Sequence, residues 1–500
     1  MADSEVRSEA VVGAQAAAVP KIDWKRWFFI AFGLAVFFVI YYMPPVSDAM
    51  DPAGKAFPLT REGKGAIALF LLAGIWWVFE VLPIGVTSIA IGVFQAIFAI
   101  RSAKDAFRDF MDPSVMFIFG SVVVGMAFTK TGLTKRIAYK MLSVVGERTS
   151  MILLGVLVVT AGLAHLMAHT AAAATMFPIL LAIYALYGEG DRPTNFGKAL
   201  FIGMAYAAGA GSIITILGSA RAPAAAGMFK EFTGVDIGFF ELSTYMFPIG
   251  WGMVFLIWVM LMVFLKPEKR VIPGLKEKVK VLSSQLGPMT KQEKLVIGLV
   301  VCVVITMSLQ SFVPALKSLD RSAIILVSTL LFFMFNVLTV KELEDIPWNI
   351  ILLFSGAMSI GFCLWKTGAA EWMAVNWLVM FQNAHWLVFV LGIAFFVLIM
   401  TNFIMNVAAI AISLPVSLVI AKYMGVSPEI VLYASLVTAG MPFLLLIGAA
   451  PNAIAYGSKQ FTTGEFFKYG IPASLVLMVF LGLAILALWP LMGMPILAAK

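Results

Sequence analysis

The sequence has few cysteines, few histidines and few charged residues. Its 500 residues include two cysteines and three histidines, and only 12% are Asp, Glu, Lys or Arg. Cys302 and Cys363 both lie inside apolar segments, where a small hydrophobe is the ordinary interpretation, so they support neither a disulfide framework nor a metal site. With 61% hydrophobic residues and a mean hydropathy of +0.98, the chain is predicted to be a polytopic membrane protein.

Other absences narrow the functional classes. The chain has no phosphate-cradling glycine loop and no paired histidine–carboxylate cluster, which disfavours an ATP-driven pump, and it needs no organic cofactor. It lacks a nucleophile–base set, which disfavours a membrane enzyme. The net charge of +8 is attributed to membrane topology rather than to nucleic-acid binding. An anion channel stays open as an alternative of another class.

A polar break interrupts the apolar run at 161–180. The flanking pieces, 151–164 and 171–187, are each shorter than the roughly 20 residues that a membrane span needs. Two half-length helices that meet at a small polar tip predict a re-entrant hairpin, which is tolerated where it lines a cavity. A similar break at 397–416 predicts a second hairpin.

The remaining apolar segments predict about eleven transmembrane helices in an all-α fold. The basic segments 130–148 and 266–294 fall on one side, which the positive-inside rule assigns to the cytoplasm. The predicted spans are 27–43, 65–82, 84–100, 113–129, 197–217, 242–265, 294–314, 322–339, 348–366, 428–447 and 469–491.

The two halves of the chain repeat. FGSVVVGMAFTKTG (119–132) is similar to FSGAMSIGFCLWKTG (354–368), and the Lys-Thr-Gly triplets lie 236 residues apart. Pro178 and Pro415 are 237 apart, and Gly218 and Gly448 are 230 apart. An odd number of spans separates the copies, so the repeats are predicted to be inverted, as in secondary transporters with a midplane binding site.

This organisation divides the chain into a tail, a linker and two parts in each repeat. We expect a cytoplasmic tail at 1–26, scaffold helices at 27–149 and 294–384, transport-domain segments at 150–265 and 385–500, and a basic cytoplasmic linker at 266–293.

The tips and later breaks carry the candidate binding residues. Each break starts a new half-helix, whose free N–H groups and positive dipole end can hold an anion. Carbonyls that are freed at the breaks could bind a small cation. The candidate substrate ligands are Ala168, His169, Thr170, Ser219, Arg221, Met405, Asn406, Val407, Ala449, Pro451 and Asn452.

The segments WW (76–77), EVLP (80–83), LGPMTKQEK (286–294) and GAAPNAIAYGSKQFTTGEFFKYGIP (448–472) resemble the divalent-anion/sodium symporter family. The resemblance covers nearly the whole chain. It implies a scaffold and a mobile elevator domain, a homodimer in the bacterial inner membrane, sodium as the coupling ion, and dicarboxylate, citrate or sulfate as the substrate.

The chain departs from that family at the binding residues. The family's tips usually read Ser-Asn-Thr, whereas the tips here read Ala-His-Thr (168–170) and Met-Asn-Val (405–407). The resemblance therefore implies that the first sodium site is lost. A residual second site would use Thr401, Asn406 and Gly448.

Arg221 and His169 stand where the first sodium ion would be. An arginine inside a membrane span is costly and is by default a functional hypothesis, and its fork suits carboxylate, sulfonate or phosphate. We expect Arg221 to supply a fixed positive charge and His169 a titratable one that permits proton coupling. Alternatively, Arg221 snorkels to the interface and His169 caps a half-helix.

The expected function is therefore secondary active transport of a small anion across the bilayer. Dicarboxylates are implied by the resemblance, and a sulfonate or sulfate is an open alternative. Proton coupling, substrate exchange and a single remaining sodium ion all stay open. So does an ordinary sodium-coupled dicarboxylate symporter that uses a partial second sodium site.

Overall fold

A computed structural model describes residues 23–50, 55–190, 192–316, 318–381 and 384–497. Most of the tail predicted at 1–26 lies outside this part of the chain. Helices dominate the described residues, and their one small sheet pairs Ala49–Met50 with Ala56–Phe57. The prediction of an all-α polytopic protein is confirmed.

The first half of the chain runs to the end of the linker. Its helices are α1 (Trp24–Tyr42), α2 (Arg61–Val78), α3 (Ile84–Ile97), α4 (Ala103–Arg108), α5 (Pro113–Thr131), α6 (Leu133–Val145), α7 (Thr149–Leu166), α8 (His169–Tyr187), α9 (Asn195–Ser212), α10 (Arg221–Thr233), α11 (Phe239–Phe264) and α12 (Leu275–Gln285).

The second half begins after the linker and ends with a helix that continues as a π-helical turn, Ala484–Leu488, and a last turn, Trp489–Leu491. Its helices are α13 (Lys291–Leu309), α14 (Arg321–Met334), α15 (Val340–Glu344), α16 (Trp348–Lys366), α17 (Ala369–Phe381), α18 (Trp386–Phe403), α19 (Asn406–Tyr423), α20 (Pro428–Ala439), α21 (Ala450–Tyr456) and α22 (Thr463–Leu483).

Each predicted span corresponds to a helix, but the predicted lengths of the hairpin arms were wrong. By length and composition, ten helices among the described residues could cross a membrane, and α7, α8, α18 and α19 are four of them. The arms α7 and α8 have 18 and 19 residues because the helices continue through His165 and His169 almost to the tip. At about 1.5 Å per residue, each arm is close to 30 Å long.

The first hairpin nevertheless enters and leaves on one face. The hydroxyl of Thr149, at the start of α7, donates to the carbonyl of Lys269 at 2.9 Å. The ammonium of Lys269 donates to the carbonyl of Tyr187, at the end of α8, at 2.7 Å. Both ends of the hairpin are therefore attached to the same stretch of the linker.

The internal repeat is confirmed in element order and length. Helices α5 and α16 both have 19 residues, α6 and α17 both have 13, and α7 and α18 both have 18. The second copy shortens the broken helix most, from 18 and 13 residues in α9 and α10 to 12 and 7 in α20 and α21.

The two copies are also inverted. Helix α5 begins beside one cleft, which contains Asp112 and Glu231, and ends beside another, which contains Lys130 and Pro347. Helix α16 runs the other way, from Pro347 to Lys366, which is bonded to Glu231. We call the two surfaces the Lys130 face and the Glu231 face.

The sequence analysis missed α6 in the basic segment, α12 in the linker, α17 after the second Lys-Thr-Gly, and the short helices α4 and α15. Helices α6 and α12 are amphipathic or polar rather than continuously apolar, so a search for apolar runs passes over them. Arg136 of α6 fixes the linker by donating to Glu293 at 2.8 Å and to the carbonyl of Gly287 at 2.8 Å.

Candidate functional site

A cavity of about 670 Å³ lies between the two hairpin tips and opens on the Lys130 face. We call it the tip cavity. Its inner end is formed by 168–170 and 405–407, together with Ser219 and Ala220 from one break and 448–450 from the other. The structure therefore brings both tips and both breaks to one place, as the repeat predicts.

Four helices begin at this cavity. Their N-cap residues are Ala168, Ala220, Met405 and Ala449, which all line it, and none provides a side-chain cap. An N-cap without a polar side chain cannot itself accept from the first N–H groups of its helix, although the N–H of His169 donates to the carbonyl of Gly218 and that of Arg221 to Ser219 Oγ. Three of these helices have 13 to 19 residues, long enough for their dipoles to favour an anion in the cavity.

Matching close contacts position the two breaks. A Cβ on Gly218 would lie 2.3 Å from the carbonyl oxygen of Ala164, and one on Gly448 would lie 2.8 Å from that of Thr401. Ala164 and Thr401 are equivalent positions in the repeat. Each break is therefore packed against its hairpin so tightly that only glycine fits without a shift.

Arg221 is buried, with 1% of its surface exposed, and lies behind the cavity wall. Its Nη1 donates to Ser219 Oγ at 2.6 Å and its Nη2 to Ser212 Oγ at 2.8 Å. Ser219 lines the cavity, whereas Arg221 is absent from its lining. Within the described part of the chain, no carboxylate pairs with Arg221.

Arg221 also lies at the crossing of the two broken helices. A Cβ on Gly440 would lie 2.6 Å from Nη2 of Arg221. Ser212, which accepts from Nη2, itself donates to the carbonyl of Gly209 at 2.7 Å. The position excludes snorkelling to the water interface, because the guanidinium is held among serines inside the protein.

His169 begins α8 and lines the tip cavity. Its backbone N–H donates to the carbonyl of Gly218 at 3.1 Å, and its Nδ1 is buried without a hydrogen-bond partner. His165, one turn earlier, points elsewhere: its Nδ1 lies 2.9 Å from the carbonyl oxygen of Gly211, and its ring packs edge-on against Trp251. Of these two histidines, only His169 faces the cavity.

The second copy gathers oxygen atoms at its break, whereas the first copy has the guanidinium of Arg221 there. Thr401 Oγ1 lies 2.9 Å from Asn406 Oδ1 and 3.1 Å from the carbonyl oxygen of Ala439. Oxygen donors of this kind suit a small hard cation. Asn406 and Gly448 line the cavity, whereas Thr401 is fully buried.

Besides Arg221, two predicted ligands lie away from the cavity lining. Pro451 and Asn452 are buried on the first turn of α21. Asn452 Nδ2 donates to the carbonyls of Pro442 and Leu445 at 2.8 and 3.1 Å, which holds the unwound stretch before α21 in place. These contacts assign Asn452 to the support of the break.

An ion pair at the cavity mouth was missed by the sequence analysis. Lys130 Nζ lies 2.5 Å from Glu342 of α15, and both residues line the tip cavity. The hydrogen bond from Lys130, followed by those from Thr339, lowers the pKa of Glu342 to about 2. Only the spatial pairing of two distant segments makes this contact, so no local sequence signal announces it.

The Glu231 face carries a second cleft, of about 380 Å³. Ion pairs join α10 and the loop after it to the helices opposite: Glu231 to Lys366, and Asp236 to Arg321. The tip cavity is therefore open on the Lys130 face. On the Glu231 face, ion pairs connect α10 and the loop after it to α16 and α14.

The helical hairpins, broken helices and central cavity define a membrane transporter. The chain belongs to the family described by the sodium:sulfate symporter transmembrane region, whose model matches residues 23–495. The resemblance found in the sequence is thereby confirmed. The chain is a multi-pass bacterial membrane transporter for an anion, and it is not an enzyme.

Curated relatives and solved structures agree with this assignment. The sodium-dependent dicarboxylate transporter SdcS of Staphylococcus saprophyticus is 24% identical over 460 residues, covering 86% of this chain and 87% of the relative. SdcS of Staphylococcus aureus is 24% identical over 454 residues, covering 87% of each.

Two solved structures show a similar fold at 12% sequence identity. MtrF of Neisseria gonorrhoeae, described among antimetabolite efflux pumps, has a TM-score of 0.58 and covers 92% of this chain and 93% of its own. The Alcanivorax borkumensis YdaH transporter has a TM-score of 0.53 and covers 94% and 98%.

Proposed function

We propose that this protein carries a small anion by elevator-type alternating access, with the charge of Arg221 in place of a first sodium ion. The sodium-dependent dicarboxylate transporters among its relatives make dicarboxylates the first substrates to test, followed by sulfate and sulfonates. The binding site is the inner end of the tip cavity.

The observation that carries the proposal is the unpaired charge of Arg221. Burying a cation without a counter-ion costs several kcal/mol, and intramembrane charges are retained mainly where they serve transport. Arg221 has two serine acceptors and no carboxylate among the described residues. An anion in the tip cavity, held through Ser219 and the positive ends of the helix dipoles, would balance this charge.

Comparison of the two copies supports the replacement of sodium. In the second copy, Thr401, Asn406 and the Ala439 carbonyl gather oxygen atoms around one point. Their counterparts in the first copy are Ala164, His169 and Gly209. The first two supply no oxygen side chain, and the third is connected to Arg221 through Ser212. The first copy therefore suits a resident cation, and the second suits at most one mobile ion.

His169 provides a second way to change the charge of the site. Its ring faces the cavity next to the Arg221 charge, so its protonation is favoured most when an anion is bound between them. Substrate binding and proton binding would then be linked. The alternative, sodium coupling through Thr401 and Asn406 alone, is the ordinary symporter mechanism reduced to one ion.

The moving part would contain both hairpins and both broken helices, 150–265 and 385–500. The frame would contain 27–149 and 294–384, with 266–293 as the linker and the 1–26 tail before it. In this proposal, the ion pairs of the Glu231 face join the moving part to the frame when the tip cavity is open on the Lys130 face. A homodimer would anchor the two frames in the inner membrane.

Uptake into proteoliposomes tests the proposal. Labelled succinate, sulfate and benzenesulfonate would be supplied with sodium and proton gradients varied separately. We expect saturable uptake and counterflow of at least one anion, with no more than one sodium ion per cycle. A steep multi-ion sodium dependence would refute the loss of the first site. Non-saturating flux would indicate a channel, and chemical alteration of the anion would indicate an enzyme.

A further inference from the structure

We propose that the preferred substrate is an organic monoanion with one carboxylate or sulfonate head and an uncharged, apolar body. This inference rests on the proposed transport function and narrows its substrate. It places the head at the first hairpin tip and the body against the second tip and the neighbouring frame helices.

The two ends of the tip cavity differ in polarity. At the first tip, His169, Thr170 and Ser219 face the cavity, with Arg221 behind Ser219. At the second tip Asn406 corresponds to His169, Val407 to Thr170 and Ala449 to Ser219, while Met405 corresponds to the apolar Ala168 of the first tip. The repeat makes these positions equivalent, so the difference lies in side chains and not in the backbone.

The second tip offers one polar side chain to a substrate. The Oδ1 atom of Asn406 lies 2.9 Å from Thr401 Oγ1, which leaves the amide N–H groups to face the cavity. A second carboxylate at this end would meet Met405 and Val407 with a single neutral amide to bind it. Burying an ionised carboxylate under those conditions is strongly unfavourable, whereas an apolar group is accepted.

The balance of charges around the cavity points to the same class of substrate, a monoanion. Among the described residues, the charged side chain nearest the inner end of the cavity is Arg221, behind Ser219. The charged residues of the lining itself are Lys130, Lys135, Glu342 and Asp345, which are two of each sign, and Lys130 pairs with Glu342. A monoanion neutralises one fixed cation. A dianion would leave one negative charge in a buried site, which would require an additional cation to enter with it.

The walls above the tips are large enough and apolar enough for the body of such a substrate. The volume of about 670 Å³ falls in the range of pockets that enclose an organic ligand rather than a bare inorganic ion. The apolar side chains that line it include Val122, Met126, Ile350, Phe354, Met405 and Val407.

A competition assay tests the proposal. Proteoliposomes of the full chain would take up labelled benzenesulfonate against unlabelled hexanoate, hexanesulfonate, succinate and sulfate. We expect the monoanions with apolar bodies to compete at concentrations about tenfold lower than succinate or sulfate, or lower still. Equal or stronger competition by succinate or sulfate would overturn the proposal.

Variants of the second tip make the test specific. Val407→Thr gives the second tip the residue that the first tip has as Thr170, and Met405→Ser adds a second hydroxyl. In the double variant we expect the preference for benzenesulfonate over succinate to fall by about tenfold or more. Thr170→Val, the matched change at the first tip, should weaken all of the anions together. An unchanged preference in the double variant, with uptake retained, would contradict the placement of the body.

The outcomes separate this inference from the proposed function. Saturable succinate uptake with no response to hexanoate or the sulfonates would uphold anion transport and refute the monoanion. Failure of every probe to be carried, or to stabilise the purified protein thermally, would refute both. Saturable benzenesulfonate uptake with weak succinate competition would support both.

Discussion

Replacing Arg221 by glutamine should weaken anion binding by roughly a hundredfold while leaving the protein folded. The change removes one buried charge and its bonds to Ser219 and Ser212. Bonds from a charged donor are worth about 1.5–3 kcal/mol each, but the arginine also carries a desolvation cost of several kcal/mol. Ser212 keeps its bond to the carbonyl of Gly209. These contributions largely offset each other, so we expect a change in unfolding free energy within about 2 kcal/mol.

The loss of binding should be much larger than the loss of stability. A substrate head that is hydrogen-bonded to Ser219 on the cavity side would lie two hydrogen bonds from the guanidinium, a distance on the order of 5–6 Å. At an effective dielectric constant of about 20, the attraction at that distance is about 3 kcal/mol, or roughly a hundredfold in affinity. The same charge in Arg221→Lys would recover part of the affinity but not the bidentate geometry.

The assay compares three variants by labelled-anion uptake and by thermal stability in detergent. Arg101→Gln is the matched control, because Arg101 pairs with Asp109 in the connection between α3 and α5 and neither residue lines the tip cavity. We expect Arg221→Gln to lose uptake at a near-normal melting temperature, and Arg101→Gln to keep its apparent KM. Wild-type uptake by Arg221→Gln would refute the replacement of sodium by a fixed charge.

Three further changes test the coupling and the access of the site. His169→Gln should flatten the dependence of uptake on pH, because His169 faces the anion site and a bound anion favours its protonation. The pKa of Glu342 is lowered to about 2, so the mouth ion pair stays intact at neutral and mildly acidic pH, and an unchanged profile would count against His169. Thr401→Ala should raise the sodium concentration for half-maximal uptake about tenfold if one sodium ion remains. Uptake that does not depend on sodium in either the wild type or the variant would exclude sodium from the mechanism. Glu231→Gln breaks the ion pair with Lys366. It should increase maleimide labelling of a cysteine introduced in the second cleft, Ser114→Cys, by a few-fold, since such pairs contribute about 0–1 kcal/mol. Unchanged labelling would show that this pair does not hold the cleft closed.

Much of the architecture could be predicted because it depends on periodic and repeated signals. Long apolar segments specify the spans, and the spacing of Lys-Thr-Gly, Pro and Gly landmarks specifies the repeat. Both signals survive substitution at individual sites, since any apolar residue maintains a span. The convergence of 168–170, 405–407 and 448–450 on one cavity followed from the repeat alone.

The environment of each candidate side chain could not be predicted in the same way. The sequence shows that Arg221 lies at a break, but it does not show that the side chain lies behind Ser219. It also does not show the two carbonyl groups to which Asn452 donates. It also gives His165 and His169 the same helical face. The tip separates them, because the chain turns at Met167 and Ala168 before α8 begins. Such details depend on contacts between segments that are far apart in the chain.

In the proposed mechanism, the fixed charge of Arg221 in place of a mobile ion has a consequence for the transport cycle. A sodium ion enters with the substrate and leaves with it, so the empty carrier returns without its charge. Arg221 stays, so the empty carrier would have to cross the membrane with an uncompensated cation at its centre, which costs several kcal/mol. A monoanion neutralises that charge, and the loaded carrier then moves without the penalty. Exchange of one anion for another is therefore the mode that this site favours, and net uptake would require His169 or the Thr401–Asn406 site to change its own charge during the return.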